Sequence, residues 1–94
     1  MIIIAGHEIV AADRRDTFVD AFRGMVARAR DADGCLHASI TADSVDPERV
    51  DVLEIWRDEK ALKAWRKRAR GPRVEQPEHV EIRRYEATEG GPLF

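Results

Sequence analysis

GCLHASITADSVDPERVDVLEIWRDEKALKAW, residues 34–65, decides the fold, because it passes from strand to turn to strand to helix within one short stretch. Cys35 to Ala42 reads as a strand, and Asp43-Ser44-Val45-Asp46-Pro47-Glu48 as a turn in which proline pre-sets the bend. Val50 to Trp56 is a second strand, so the pair forms a hairpin. Its alternation puts Leu53 and Ile55 on one face and Val50, Val52 and Trp56 on the other. Asp58 then caps a helix whose apolar stripe is Ala61, Leu62, Trp65 and Ala69. Glu59 sits at the positive end of that helix, Arg66, Lys67, Arg68 and Arg70 crowd its negative end, and Gly71-Pro72 stops it.

Working outward on the N-terminal side, Ile2 to Val10 is a β-branched run apolar on both faces, which predicts a central strand. Asp13 is the expected N-cap of a helix carrying Phe18, Phe22, Met25, Val26 and Ala29 on one side, ending near Asp33-Gly34. On the other side, a polar loop through Gln76-Pro77 leads to a last strand over Glu78 to Ala87, and residues 88–94 form a short tail. The order is β-α-β-β-α-β, an α+β, ferredoxin-like, four-stranded antiparallel sheet with both helices on one face. Residues 1–94 are expected to be a single domain. A sheet that is apolar on both sides, with helices for only one, predicts a homodimer with sheets packed face to face.

The totals narrow the function classes. A net charge of −2 gives no global pull toward nucleic acid or an anionic membrane, and neither is an expected partner. No run approaches the roughly 18–20 apolar residues of a membrane span. The single cysteine, Cys35, cannot form an internal disulfide, which fits a reducing compartment. Met1 to Gly6 lacks the basic region of a secretory signal, so the expected location is the cytoplasm.

Gly34-Cys35-Leu36, Asp46-Pro47-Glu48-Arg49 and Glu54-Ile55-Trp56-Arg57-Asp58-Glu59-Lys60-Ala61-Leu62 together resemble the antibiotic biosynthesis monooxygenase family. The resemblance implies a dimeric α+β barrel in which each sheet covers the other. It also implies one of several chemistries: cofactor-free oxygenation of aromatic polyketides, quinol oxidation or heme degradation. Members usually carry a histidine on the second helix, where this chain has Trp65. Heme-degrading relatives have a tryptophan there, but their strand-one asparagine falls on His7 and their later histidine on Glu75. Anthrone-oxidising relatives share Trp56, whereas their asparagine and tyrosine fall on Val52 and Leu62.

Cofactor-free oxygenation needs a substrate that becomes an electron donor on losing a proton, held in a dry pocket beside a base. His7 is the candidate base or donor, with Trp56 and Trp65 as pocket walls and His37, Tyr85, Phe22 and Leu62 as substrate-binding candidates. Each has a plainer reading: the histidines and Tyr85 as half-buried strand residues, the tryptophans as core packing. His7, His37 and His79 fall on three strands without metal-ligand spacing, so no metal is expected. With no phosphate loop after a strand, no cofactor is expected either. The basic run Arg66 to Arg73 reads as a solvated helix end. The leading expectation is a cofactor-independent monooxygenase of a small phenolic, quinol or anthrone-like aromatic. The alternatives are a non-catalytic dimeric small-molecule-binding or stress-associated domain, and a heme-binding or heme-degrading monooxygenase.

Overall fold

A computed structural model describes residues 1–94. Strand β1 (Ile2–Ile9) is followed by a 3-10 turn (Ala12–Arg14), helices α1 (Arg15–Ala21) and α2 (Arg23–Asp31), and the hairpin β2 (Cys35–Ala42) and β3 (Arg49–Trp56). Helix α3 (Glu59–Arg68) and strand β4 (His79–Glu86) complete the chain. The sheet order is β2-β3-β1-β4 and every pairing is antiparallel, which is the ferredoxin-like arrangement read from the sequence.

Two local expectations are corrected. Asp13 does not cap a helix: it lies inside the 3-10 turn, and neither that turn nor α1 has a side-chain cap. The expected single first helix is two, because Phe22 adopts φ −87°, ψ −5° and interrupts the ladder for one residue. Gly24, a poor helix former, follows directly after Arg23 and weakens the second segment's first turn. Asp58 behaves as read: its carboxylate accepts the Ala61 N–H at 2.8 Å. The hydrogen bonds to Ala61 and Arg57 hold the Asp58 carboxyl below the usual carboxylate range.

Register assigns every strand residue to a face. Ile2, Ile4, Gly6 and Glu8 lie beside Trp56, Glu54, Val52 and Val50 on the helix side. There Ile2, Ile4, Ala38 and Trp56 pack against Ala29, Ala32, Ala61, Leu62 and Trp65 as the main core. A smaller cluster, Val10, Phe18 and Val50, sits under α1. Ile3, Ala5, His7 and Ile9 point the other way, beside Ile55, Leu53, Asp51 and Arg49 on β3 and Tyr85, Arg83, Glu81 and His79 on β4. No helix covers this second face.

Two glycines are required where backbones meet. At Gly34, φ is 81° and an added Cβ would stand 2.5 Å from the Ala61 side chain, so the turn from α2 into β2 tolerates no larger residue there. At Gly6 an added Cβ would overlap the Glu81 carbonyl oxygen and stand 2.7 Å from the Ile82 Cα. The hairpin turn is tied to the first helix by Arg15, whose Nη1 donates to the carbonyls of Asp46 (2.6 Å) and Asp43 (3.1 Å).

Candidate functional site

The sheet divides the residues singled out from the sequence into two groups. Trp56, Trp65, Leu62 and Phe22 belong to the helix side. Trp56 is 0 % exposed, its ring stacks on that of Trp65 with centroids 6.3 Å apart, and its Nε1–H donates to Glu54 Oε1 at 2.9 Å. The Arg68 guanidinium carbon lies over the Trp65 ring, 5.5 Å from its centroid. Leu62 is buried beside them. These three side chains fill the main core, and neither indole presents a free face to a ligand. A heme reading therefore gains nothing from the tryptophan pair. Phe22 lies farther along, its ring 5.1 Å from that of Phe18.

His7, His37 and Tyr85 lie on the opposite, helix-free face. His37 is on edge strand β2, exposed, and pairs with Ser39 Oγ at 3.1 Å. Tyr85 is on the other edge strand, three strand spacings or about 14 Å away. His7 is on central β1. The sheet thus separates His7 from the tryptophans by its full thickness. What it sets beside His7 are His79 and Glu81 of β4, a neighbourhood that the spacing of histidines along the chain did not disclose.

A cleft of about 410 Å³ opens on the helix side, between α1 and the loop of residues 69–78. Val10, Phe18, Ala21 and Val74 make its apolar floor and walls. Arg14 and Glu75 form an ion pair across it, and Arg73 and Asp13 stand at the rim. An apolar floor with a few charged groups around it is the usual make-up of a small-molecule site, and this volume is within the range such sites occupy.

Glu8 lies on the same side of β1, two residues before Val10. Burial pushes its carboxyl pKa up, the one carboxylate in the chain clearly shifted that way. A carboxylate on the packed face of a central strand is a signal the sequence did contain, through the parity it shares with Ile2, Ile4 and Val10. The sequence reading passed over it in favour of His7. Burial also pushes the Cys35 thiol up, which disfavours its thiolate.

The family model for antibiotic biosynthesis monooxygenase matches residues 1–85. The chain belongs to the antibiotic biosynthesis monooxygenase family. Among solved structures, a protein from Nitrosomonas europaea provisionally named an antibiotic biosynthesis monooxygenase superposes with a TM-score of 0.73 at 17% identity, covering 95% of this chain and 100% of that one. One from Deinococcus radiodurans, provisionally named in the same way, gives 0.72 at 19% identity over 100% and 99% of the two chains. A heme-degrading protein from Mycobacterium tuberculosis, in heme-free form, gives 0.70 at 14% identity over 97% and 98%. At these identities the structures show a shared fold. No curated protein matches the chain. For this antibiotic biosynthesis monooxygenase domain, then, the family is settled by sequence and the architecture by structure.

Proposed function

We propose that this chain is a cofactor-independent monooxygenase that oxidises a small phenolic, quinol or anthrone-like aromatic with O2 in the cleft beneath α1. The observation that carries the reading is the cleft itself: an apolar lining of Val10, Phe18, Ala21 and Val74, a charged rim, and Glu8 on the same sheet face with its pKa raised by burial. Phe18 supplies the stacking surface, since aromatic pairs prefer offset or tilted contact with a neighbouring ring. Arg73 at the rim favours a substrate bearing a phenolate or carboxylate.

Glu8 takes the proton. A carboxyl whose pKa is raised by burial is a better-matched base than an ordinary glutamate, and Glu8, which is not itself part of the cleft lining, stands about 7 Å along β1 from Val10, which is. His7, the base expected from the sequence, faces the other side of the sheet. The deprotonated substrate passes one electron to O2, and the resulting radical pair combines into a peroxide at carbon. For a methylene between two aryl rings, loss of water from that peroxide leaves a carbonyl. One oxygen atom ends in the product and the other in water, every electron comes from the substrate, and no outside reductant is consumed.

The helix-free face, with Ile3, Ala5, Ile9, Leu53 and Ile55 at its centre, belongs in this reading against the same face of a second copy.

Oxygen consumption by purified protein with a panel of anthrones and hydroquinones, without added cofactor, tests the activity. Uptake above the protein-free rate is expected with at least one of them. Glu8→Gln should lower the rate by about 10²–10⁴-fold, and Ala21→Trp, which fills the cleft from an exposed position, should abolish it. If wild type consumes no oxygen with any compound, the activity is wrong. If both variants match wild type, the cleft is not where it happens.

A further inference from the structure

We propose that the helix-free face carries a binding site for a divalent transition-metal ion, held by His7, His79 and Glu81. The inference is independent of the oxygenation reading, because the site lies across the sheet from the cleft.

The site follows from strand geometry. His79 and Glu81 are two residues apart on β4, so their side chains leave the same face about 7 Å apart. Antiparallel pairing sets His7 of β1 directly opposite Glu81 and diagonal to His79. The result is a triangle: one ligand atom from each of the three residues, all within 4.8 Å of one another. The His7 Nε2 to Glu81 Oε2 distance is 4.0 Å, too long for a hydrogen bond, and the two imidazole centroids are 6.2 Å apart with planes tilted by 47°. Three groups that ligate metals thus converge without bonding to one another.

The spacing suits an ion. Metal–nitrogen and metal–oxygen bonds of about 2.0–2.2 Å in a tetrahedral site place ligand atoms about 3.3–3.6 Å apart. Closing the triangle requires about 1 Å of side-chain motion. In the single chain His79 and Glu81 are exposed on an edge strand and can make it, while His7, with 21 % of its side chain exposed, is the fixed corner. On the far side of His7, Asp51 is its direct partner on β3, and Arg49 Nε donates to that carboxylate at 2.6 Å.

Two imidazoles and one carboxylate select zinc, iron(II) or their first-row neighbours over calcium and magnesium, which take oxygen ligands. Three protein ligands also leave at least one position on the ion for water, an anion, or a group from whatever covers this face.

The test is calorimetric titration of chelator-treated, tag-free protein with zinc sulfate near neutral pH, together with cobalt(II) absorption. One ion per chain is expected. His79→Ala and Glu81→Gln should each weaken binding at least ~10-fold, and His37→Ala should leave it unchanged, since His37 is on the opposite edge strand β2, with β3 between it and His7. Both ligand variants sit on an exposed edge, and far-ultraviolet dichroism confirms their fold. Cobalt should give a ligand-field spectrum of nitrogen and oxygen donors. Absence of zinc binding, equal binding by His79→Ala and Glu81→Gln, or a sulfur-to-cobalt charge-transfer band pointing to Cys35 would each overturn the proposal.

Discussion

Replacing Gly6 by alanine adds one methyl group where two backbones already touch. The new Cβ would lie 2.7 Å from the Ile82 Cα and 2.9 Å from the Glu81 carbonyl carbon. Carbon atoms rest at about 3.5–4.0 Å, so β4 has to retreat by about 1 Å from β1. Hydrogen bonds near 2.9 Å then stretch to about 3.9 Å, beyond useful length. Losing two to three ladder bonds at about 0.5–1.5 kcal/mol each gives a cost of about 1–4.5 kcal/mol. For a chain of this size that lowers the melting temperature by about 4–35 °C. Neither partner of the clash can turn aside, since both are main chain in the middle of a strand. The assay is thermal and urea unfolding at fixed protein concentration, with amide exchange to locate the loss. Gly71→Ala is the control, because nothing lies within 4 Å of a Cβ there. Exchange should accelerate on β4 and leave β2 and β3 protected. A Gly6→Ala protein within about 0.5 kcal/mol of wild type, the usual range of a neutral surface change, would refute the close-approach argument.

Three further outcomes are expected. Trp56→Ala, at a fully buried position, should cost about 3–5 kcal/mol in urea unfolding; a loss below about 1 kcal/mol would mean the ring is not the keystone of the core. The Asp43 carboxyl is held down to about 2, chiefly by the Asp46 N–H, with the Val45 N–H and the nearby Arg49 charge acting in the same direction. A depressed folded-state pKa contributes stability that is present above about pH 3.9, the unfolded value, and is lost as pH falls toward 2. Asp43→Asn should therefore flatten the stability profile between those limits, and an unchanged slope in urea midpoints would contradict it. Leu53→Asp, placing a charge at the centre of the helix-free face, should halve the mass measured by light scattering if two copies meet there; a one-chain mass for wild type would remove the dimer.

Much of the architecture was readable because the chain's periods are clean. Asp58 followed by Ala61, Leu62 and Trp65 admits one helix in one orientation, and the alternation from Val50 to Trp56 sorts that strand's faces correctly. The first helix was harder, since Phe18, Phe22 and Met25 keep helical spacing across the interruption at Phe22, and a one-residue break does not disturb a hydrophobic stripe. The site was less readable for a different reason. Which residues share a face follows from parity, so His7 could be put with Ile3 and Ile9. That Trp56 and Trp65 lie on the other face also follows from parity, once the helices are assigned to one side. Which residues of different strands meet depends on register and strand order. His79 and Glu81 became neighbours of His7 only when β4 docked beside β1. The cleft is farther still from the sequence, because its outer wall is an irregular loop whose path no periodicity encodes.

The Arg15 guanidinium, held by the carbonyls of Asp43 and Asp46, has a mechanical consequence. It rivets the first helix to the hairpin, so the wall of the cleft bearing Phe18 moves with the sheet as a single body. The opposing wall, from Arg73 to Glu78, is fastened at one end by the Glu78 N–H to the Ile9 carbonyl at 2.8 Å, packs through Val74 on the Val10, Phe18 and Val50 cluster, and is latched at the surface by Arg14 and Glu75. The cleft is a door with one hinge and one catch. Traffic into it should be set by how fast that surface catch opens, which makes entry sensitive to salt in a way that the floor of the site is not.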